Sequence, residues 1–280
     1  MERSGRTIVS IDRPLPPGSF DTHMHFYHHS YPSSPDAVLH PPDATVADYR
    51  ALQAELGTER VVVVQPTTYG LDNSCQLDAM AELGEAARGI AVIDHTTSAG
   101  EIERLDRLGV RGARFHMLPG GAVGWESLEP VAAAIAEFGW HIQLQLNGRE
   151  LTERVGQLLA LPVSVVVDHV GRFMPPVPVG DPAFGALCRL IEEGSGRVKI
   201  SAPYESSVVG PPDFPDVTPL ARTLIDRYPG RMLWATNWPH PGQAAPPTTA
   251  DLRALLDAWI PAEHQQTILV DNPAALYGFR

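Results

Sequence analysis

The chain has 280 residues, of which 44% are hydrophobic, and its 21 basic and 33 acidic side chains leave a formal net charge of −12. That length suits one barrel of alternating strands and helices, commonly roughly 250 residues, while the acidic excess repels polyphosphate and argues against nucleic acid as a partner. Cys75 and Cys188 stand far apart and outside any Cys-x-x-Cys pair, so no zinc knuckle or redox motif is expected and a reducing compartment suits both thiols. No apolar run reaches signal-peptide or membrane-span length. A soluble, cytoplasmic protein is expected, and nothing in the sequence speaks to subunit number.

After an N-terminal extension over residues 1–18, strand-length apolar runs alternate with longer runs of helical period. SFDTHMH is the first expected strand, followed by the helix TVADYRALQAELG with Thr45 as N-cap and Gly57 as stop. RVVVVQPT is an unbroken β-branched run, the pattern of a strand covered on both faces. The helix NSCQLDAMAELGEAA, strand GIAVIDH, helix SAGEIERLDRLG, strand VRGARFHM, helix WESLEPVAAAIAEFG and strand HIQLQL follow. The second half continues with ELTERVGQLLAL, SVVVDHV, AFGALCRLIEEG, RVKISA, TPLARTLIDRYPG, MLWATNW and TADLRALLDAWI. These are eight strand–helix units, which predict an α/β fold, a single-domain (β/α)8 TIM barrel over residues 1–280. The remaining 261–280 segment is expected to form one further helix and a short cap. Long loops after the first, fourth, seventh and eighth strands would build the active site, because the C-terminal strand ends carry it in this fold.

Alternate strand residues point the same way. His23 and His25 therefore share a side of the first strand, Arg114 and His116 of the fourth, and Gln143 and Gln145 of the fifth. His169 ends the sixth strand and Asn237 the eighth. Asp168, one residue before His169, is expected to face away and to hold a helix or loop in place. Lys199 alternates with Ser201 on the seventh strand and is expected to support the floor of the site without touching substrate. His28 and His29 in the first loop read as exposed or as lid contacts.

DTHMH, GVRGARFHM, VVDHVGR and WATNWPH resemble the amidohydrolase superfamily, and within it the lactonase branch of 2-pyrone-4,6-dicarboxylate lactonase and the galactarolactone isomerase and lactonase group. LPGGAV, YESS and TNWPH look especially like the sugar-lactone members, and the resemblance runs from about Phe20 to Phe279. It implies an enzyme acting on a small lactone, anionic in character, without a metal. On that resemblance His23, His25, His169 and Asn237 are the catalytic candidates, the histidines donating hydrogen bonds to lactone carbonyl and carboxylate oxygens. Arg114, His116, Gln145, Arg172, Tyr204 and Ser206 are the substrate-binding candidates. Arginine favours a forked grip on carboxylate, and Tyr204 and Ser206 would take hydroxyls.

No cofactor is expected. A zinc ion would have to use His23, His25 and His169, and arginine and asparagine stand where a bridging ligand and an acid would be wanted. In the lactonase branch the acid on the last strand takes a proton from water, which Asn237 cannot do. Metal-independent hydrolysis through a histidine base is the first expectation. Intramolecular isomerisation, in which a substrate hydroxyl attacks its own lactone carbonyl, is the alternative that Asn237 favours. A zinc-dependent hydrolase or decarboxylase and a silent small-molecule binder are the remaining alternatives.

Overall fold

A computed structural model describes residues 13–279; most of the expected N-terminal extension, 1–12, lies outside the described residues. Eight strands form one parallel sheet in sequence order: β1 Phe20–Met24, β2 Arg60–Val64, β3 Ala87–Ala91, β4 Val110–His116, β5 His141–Gln145, β6 Val165–Val167, β7 Arg197–Ile200 and β8 Met232–Trp234. The backbone closes the β1–β8 seam: Asn237 N–H donates to His23 O and His25 N–H to Trp238 O, both at 2.8 Å. Helices α1 Val46–Leu56, α2 Ser74–Leu83, α3 Ala99–Arg107, α4 Leu128–Ile135, α5 Leu151–Leu159, α6 Pro182–Glu193, α7 Thr218–Arg227 and α8 Thr249–Trp259 cover the outside. The expected (β/α)8 barrel is what the chain forms.

Local chemistry explains the elements. Thr45 and Asp48 form a reciprocal capping box at the start of α1, and Gly57 ends it at φ 86°, a conformation a Cβ would strain. In β2, Val61 and Val63 pack outward with Met24 and Tyr49, while Val62 and Val64 pack inward with Ile90 and Tyr277. Two covered faces are why that strand is apolar at every position after Arg60.

Two strands stop earlier than the apolar pattern predicts. The ladder of β6 ends at Val167 and that of β8 at Trp234. Just beyond, His169 (φ 54°), Val170 (φ 56°) and Asn237 (φ 62°) adopt left-handed backbone, which cannot continue a strand. Both interruptions fall on candidate site residues, as strained positions often do.

The tail closes the opposite end. Helix α9 (Ala262–Gln266) passes through a π turn into α10 (Asn272–Tyr277). Phe279 meets Phe20 edge-on at 4.9 Å, and the Tyr277 ring lies 5.5 Å from His141. Arg88 covers the Phe279 ring at 4.1 Å. Among the described residues no helix is long and apolar enough to cross a membrane.

Candidate active site

The first strand carries a register shift that sets up the site. Asp21 pairs with Val61 and Met24 with Val63, so Thr22 and His23 together face Val62. This extra residue turns His23 and His25 into the barrel while Asp21 stays outside. There Asp21 accepts from Thr236 N–H (2.9 Å), Thr236 Oγ1 (2.5 Å) and Tyr49 Oη (3.0 Å), tying the bulge to the β8 end and to α1.

Beneath the site lies a sealed polar floor. Lys199 Nζ donates to Thr22 O (2.7 Å) and Gln143 Oε1 (2.5 Å) and stands 3.8 Å from Asp168 Oδ1. Gln143 Nε2 donates to Asp168 Oδ2 (3.1 Å), and Asp168 Oδ1 is 3.3 Å from His23 Nδ1. Lys199, Gln143, Asp168 and His23 are all fully buried. Burial pulls the Lys199 ammonium down to about 7 against the opposing pull of Asp168. The expected outward facing of Asp168 is corrected here. Gln143 faces inward and pairs with Val166, so Val166 is the inward residue of β6 and Asp168, two further on, follows it. His169 should then face out, and its left-handed backbone returns it to the barrel.

Above the floor is a cavity of about 290 Å³. His25, Arg114, His116, Gln145, His169 and Asn237 form its polar wall, with Arg172 and Glu205 beside them. Arg114 donates through Nη1 to Gln65 O (2.5 Å) and through Nη2 to Gln145 Oε1 (2.8 Å), while its buried Nε has no partner among the described residues. His116 Nδ1 shares Gln145 Oε1 at 3.2 Å. His169 Nδ1 is 2.9 Å from Ser201 Oγ. Its Nε2 has no hydrogen-bond partner among the described residues. Gly121 lets the loop after β4 fold over the wall: a Cβ there would sit 1.8 Å from His116 O.

The histidine pair does not work as expected. His25 Nδ1 lies 2.8 Å from Val64 O, a pure acceptor, so Nδ1 carries the proton and Nε2 is a lone pair when the ring is neutral. That lone pair faces His23 Nε2 at 3.2 Å. Neutral His25 therefore accepts at Nε2 rather than donating to a carbonyl, and His23 does not line the cavity. Burial depresses His25 and His116 to about 3 each, and it holds His23 and His169 well below the ordinary histidine range. The rings are neutral at pH 7.

Tyr204 and Ser206, expected on substrate hydroxyls, do not line the cavity. Ala202 (φ 44°) starts a tight turn over Pro203–Glu205, which directs Tyr204 to the wall from behind and Glu205 to the cavity. Tyr204 Oη accepts from Asn237 Nδ2 (3.1 Å) and pairs with His240 Nδ1 (2.8 Å). Tyr204 thus holds Asn237 in place. Arg172 donates through Nε (3.2 Å) and Nη2 (2.7 Å) to Glu205 Oε2. Glu205 and Tyr27 also line the cavity, two residues that the strand pattern does not single out. YESS pointed to the right loop, but the turn selects its neighbour.

Among the described residues, His23, Asp168 and His169 bring ligand atoms within 4.8 Å of one another. This set fits a divalent cation poorly. Asp168 is engaged by Gln143, Lys199 and Arg114 add buried positive charge that already disfavours protonated His23, and Asn237 offers only a neutral amide oxygen. A second group, His28, His29 and Asp43, lies on the first loop, where His29 Nδ1 pairs with Asp43 Oδ2 at 2.6 Å.

Residues 20–279 match the amidohydrolase family. The chain belongs to that family. This amidohydrolase is 36% identical over 269 residues to D-galactarolactone isomerase of Agrobacterium fabrum, covering 94% of this chain and 92% of the relative. It is likewise 36% identical over 280 residues to 2-pyrone-4,6-dicarboxylate hydrolase of Comamonas testosteroni, covering 94% and 91%. Among solved structures it is similar to an apo Agrobacterium tumefaciens protein, with TM-score 0.90 and 34% identity over 95% of this chain and 98% of that one.

Proposed function

We propose that this amidohydrolase processes lactones without a metal, and that it shifts the lactone ring by intramolecular acyl transfer. The observation that carries this is the end of β8. Asn237 stands on the cavity wall with its Nδ2 committed to Tyr204 Oη, and the only wall carboxylate among the described residues, Glu205, is paired with Arg172. At the β8 end, where an acid would take a proton from water, the chain thus offers only an amide. A tethered hydroxyl needs less help, because positioning supplies much of the rate. Similarity to both a galactarolactone isomerase and a pyrone dicarboxylate hydrolase supports the lactone class.

In this reaction the substrate hydroxyl forms a new acyl C–O bond and the original one breaks. One proton leaves the attacking hydroxyl and arrives on the departing alkoxide, so a single group that takes and returns it suffices. His169 suits that role, with Nδ1 steadied by Ser201 and Nε2 uncommitted. Asn237 Oδ1 can orient the hydroxyl, and Arg114 can hold a substrate carboxylate. Hydrolysis with His169 as base is the second reading, favoured by that same uncommitted nitrogen.

An NMR time course with D-galactaro-1,5-lactone separates the two. Isomerisation gives a new lactone before any open-chain acid, and Asn237→Asp raises the open-acid share. Open acid as the sole enzymatic product of the wild type would establish hydrolysis instead. Turnover is expected to survive exhaustive chelation; loss on chelation with recovery on adding zinc would overturn the metal-free reading.

A further inference from the structure

Three charged side chains line the cavity: Arg114, Arg172 and Glu205. They are not equivalent. Arg172 turns both Nε and Nη2 onto one oxygen of Glu205, Oε2, and the two side chains are each only 15% exposed. In such partial burial an ion pair is better shielded from water than a surface pair, and it largely cancels its own field. Arg114 has no carboxylate partner; its contacts are the neutral oxygens of Gln65 and Gln145. The wall therefore presents one uncancelled positive charge. It also presents Glu205 Oε1, which has no hydrogen-bond partner among the described residues. An ionised carboxylate oxygen only accepts, so it repels a second anion and welcomes a hydroxyl.

We propose that the Arg172–Glu205 pair makes this a site for hydroxylated lactones bearing one carboxylate, with Arg114 holding the carboxylate and Glu205 accepting from a hydroxyl. Glu205 excludes dicarboxylated lactones by keeping Arg172 neutralised. This rests on the lactone function proposed above and names the charge and functional groups of its substrate.

The test compares D-galactaro-1,5-lactone, which carries one carboxylate and hydroxyls, with 2-pyrone-4,6-dicarboxylate, which carries two carboxylates and no hydroxyl. Affinity is measured by calorimetry and turnover by NMR, for wild type, Glu205→Gln and Arg172→Gln, each checked for wild-type circular dichroism. Wild type should bind the hydroxylated lactone more tightly. Glu205→Gln frees Arg172 and should shift the affinity ratio toward the dicarboxylate by at least about tenfold (~1.4 kcal/mol). Arg172→Gln leaves Glu205 uncompensated and should weaken the dicarboxylate further; this arm decides the matter if Glu205→Gln does not fold. An unchanged ratio in Glu205→Gln, a stronger dicarboxylate complex in Arg172→Gln, or a wild type that prefers the dicarboxylate overturns the proposal. So does Glu205→Gln losing turnover of the galactarolactone with binding unchanged, which would make Glu205 a proton-transfer group. Turnover without charge preference defeats this inference alone, whereas no binding or turnover of either compound defeats the lactone reading and this inference with it.

Discussion

The polar floor of the barrel and the cavity wall above it use similar residues to different ends. On the floor, Lys199, Gln143, Asp168 and His23 engage one another away from solvent. On the wall, His169 Nε2 and Glu205 Oε1 remain without protein partners among the described residues. Buried polar groups are costly unless satisfied, so an engaged network holds geometry and the atoms left open are where a ligand can bind. Histidine or lysine inside a barrel is therefore not in itself a catalytic signal; what separates the roles is whether an unpartnered atom belongs to a residue of the cavity wall, since buried His141 has neither ring nitrogen partnered among the described residues and does not line the cavity.

Mutation can break this comparison. His169→Asn should lower kcat by on the order of 10²–10⁴ while leaving the melting temperature close to wild type, since asparagine tolerates the left-handed backbone at φ 54°. Steady-state rates and melting of the same preparation check it, and a loss of only a few-fold would remove His169 from proton transfer. Lys199→Met should do the reverse. Breaking a buried pair from one side costs roughly 3–5 kcal/mol, so denaturant unfolding should shift strongly while the KM of the folded enzyme stays near wild type. A Lys199→Met variant as stable as wild type would mean the floor does not carry the load assigned to it.

Acid should affect both regions together. Burial lowers His25, His116 and His141 to about 3 each and His240 to about 4. Unfolded histidine binds its proton near 6.5, so below that pH the unfolded chain takes up protons that the folded chain refuses. Stability is present above pH 6.5 and is lost as pH falls toward 3–4, by at most ~1.4 kcal/mol per pH unit for each such ring. Urea unfolding at pH 7, 6 and 5 measures this, and a flat profile would show that the rings are charged in the folded state. Arg114→Lys is the mildest change. It keeps the charge but loses the fork, and kcat/KM for a carboxylated lactone should fall roughly tenfold or more; an unchanged value would take Arg114 out of substrate binding.

Much of this was legible in advance because strand alternation and helix capping are local. Thr45, Gly57, the RVVVV strand and the inward course of Lys199 follow from the backbone period and from short-range sterics. The site was legible less evenly. Arg114, His116 and Gln145 lie on regular strands, so counting by twos places them on one face. His23, His169, Tyr204 and Glu205 lie where regularity fails. One extra residue in β1 brings Thr22 and His23 to the same face, left-handed backbone at His169 lets it share the barrel interior with Asp168, and the turn after Ala202 exchanges Tyr204 for Glu205 at the cavity.

The sequence by itself determined eight strand–helix units, the strand ends that would carry the chemistry, and the presence of Asn237 where an acid would serve hydrolysis. Only the tertiary structure decided which polar atoms are saturated and which stay open. Register shifts, positive φ angles and the pairing of Arg172 with Glu205 depend on contacts between residues far apart in the chain. Hydrogen-bond satisfaction is a property of three-dimensional neighbourhood rather than of residue type, and together with access to the cavity it separates the floor of this barrel from the wall above it.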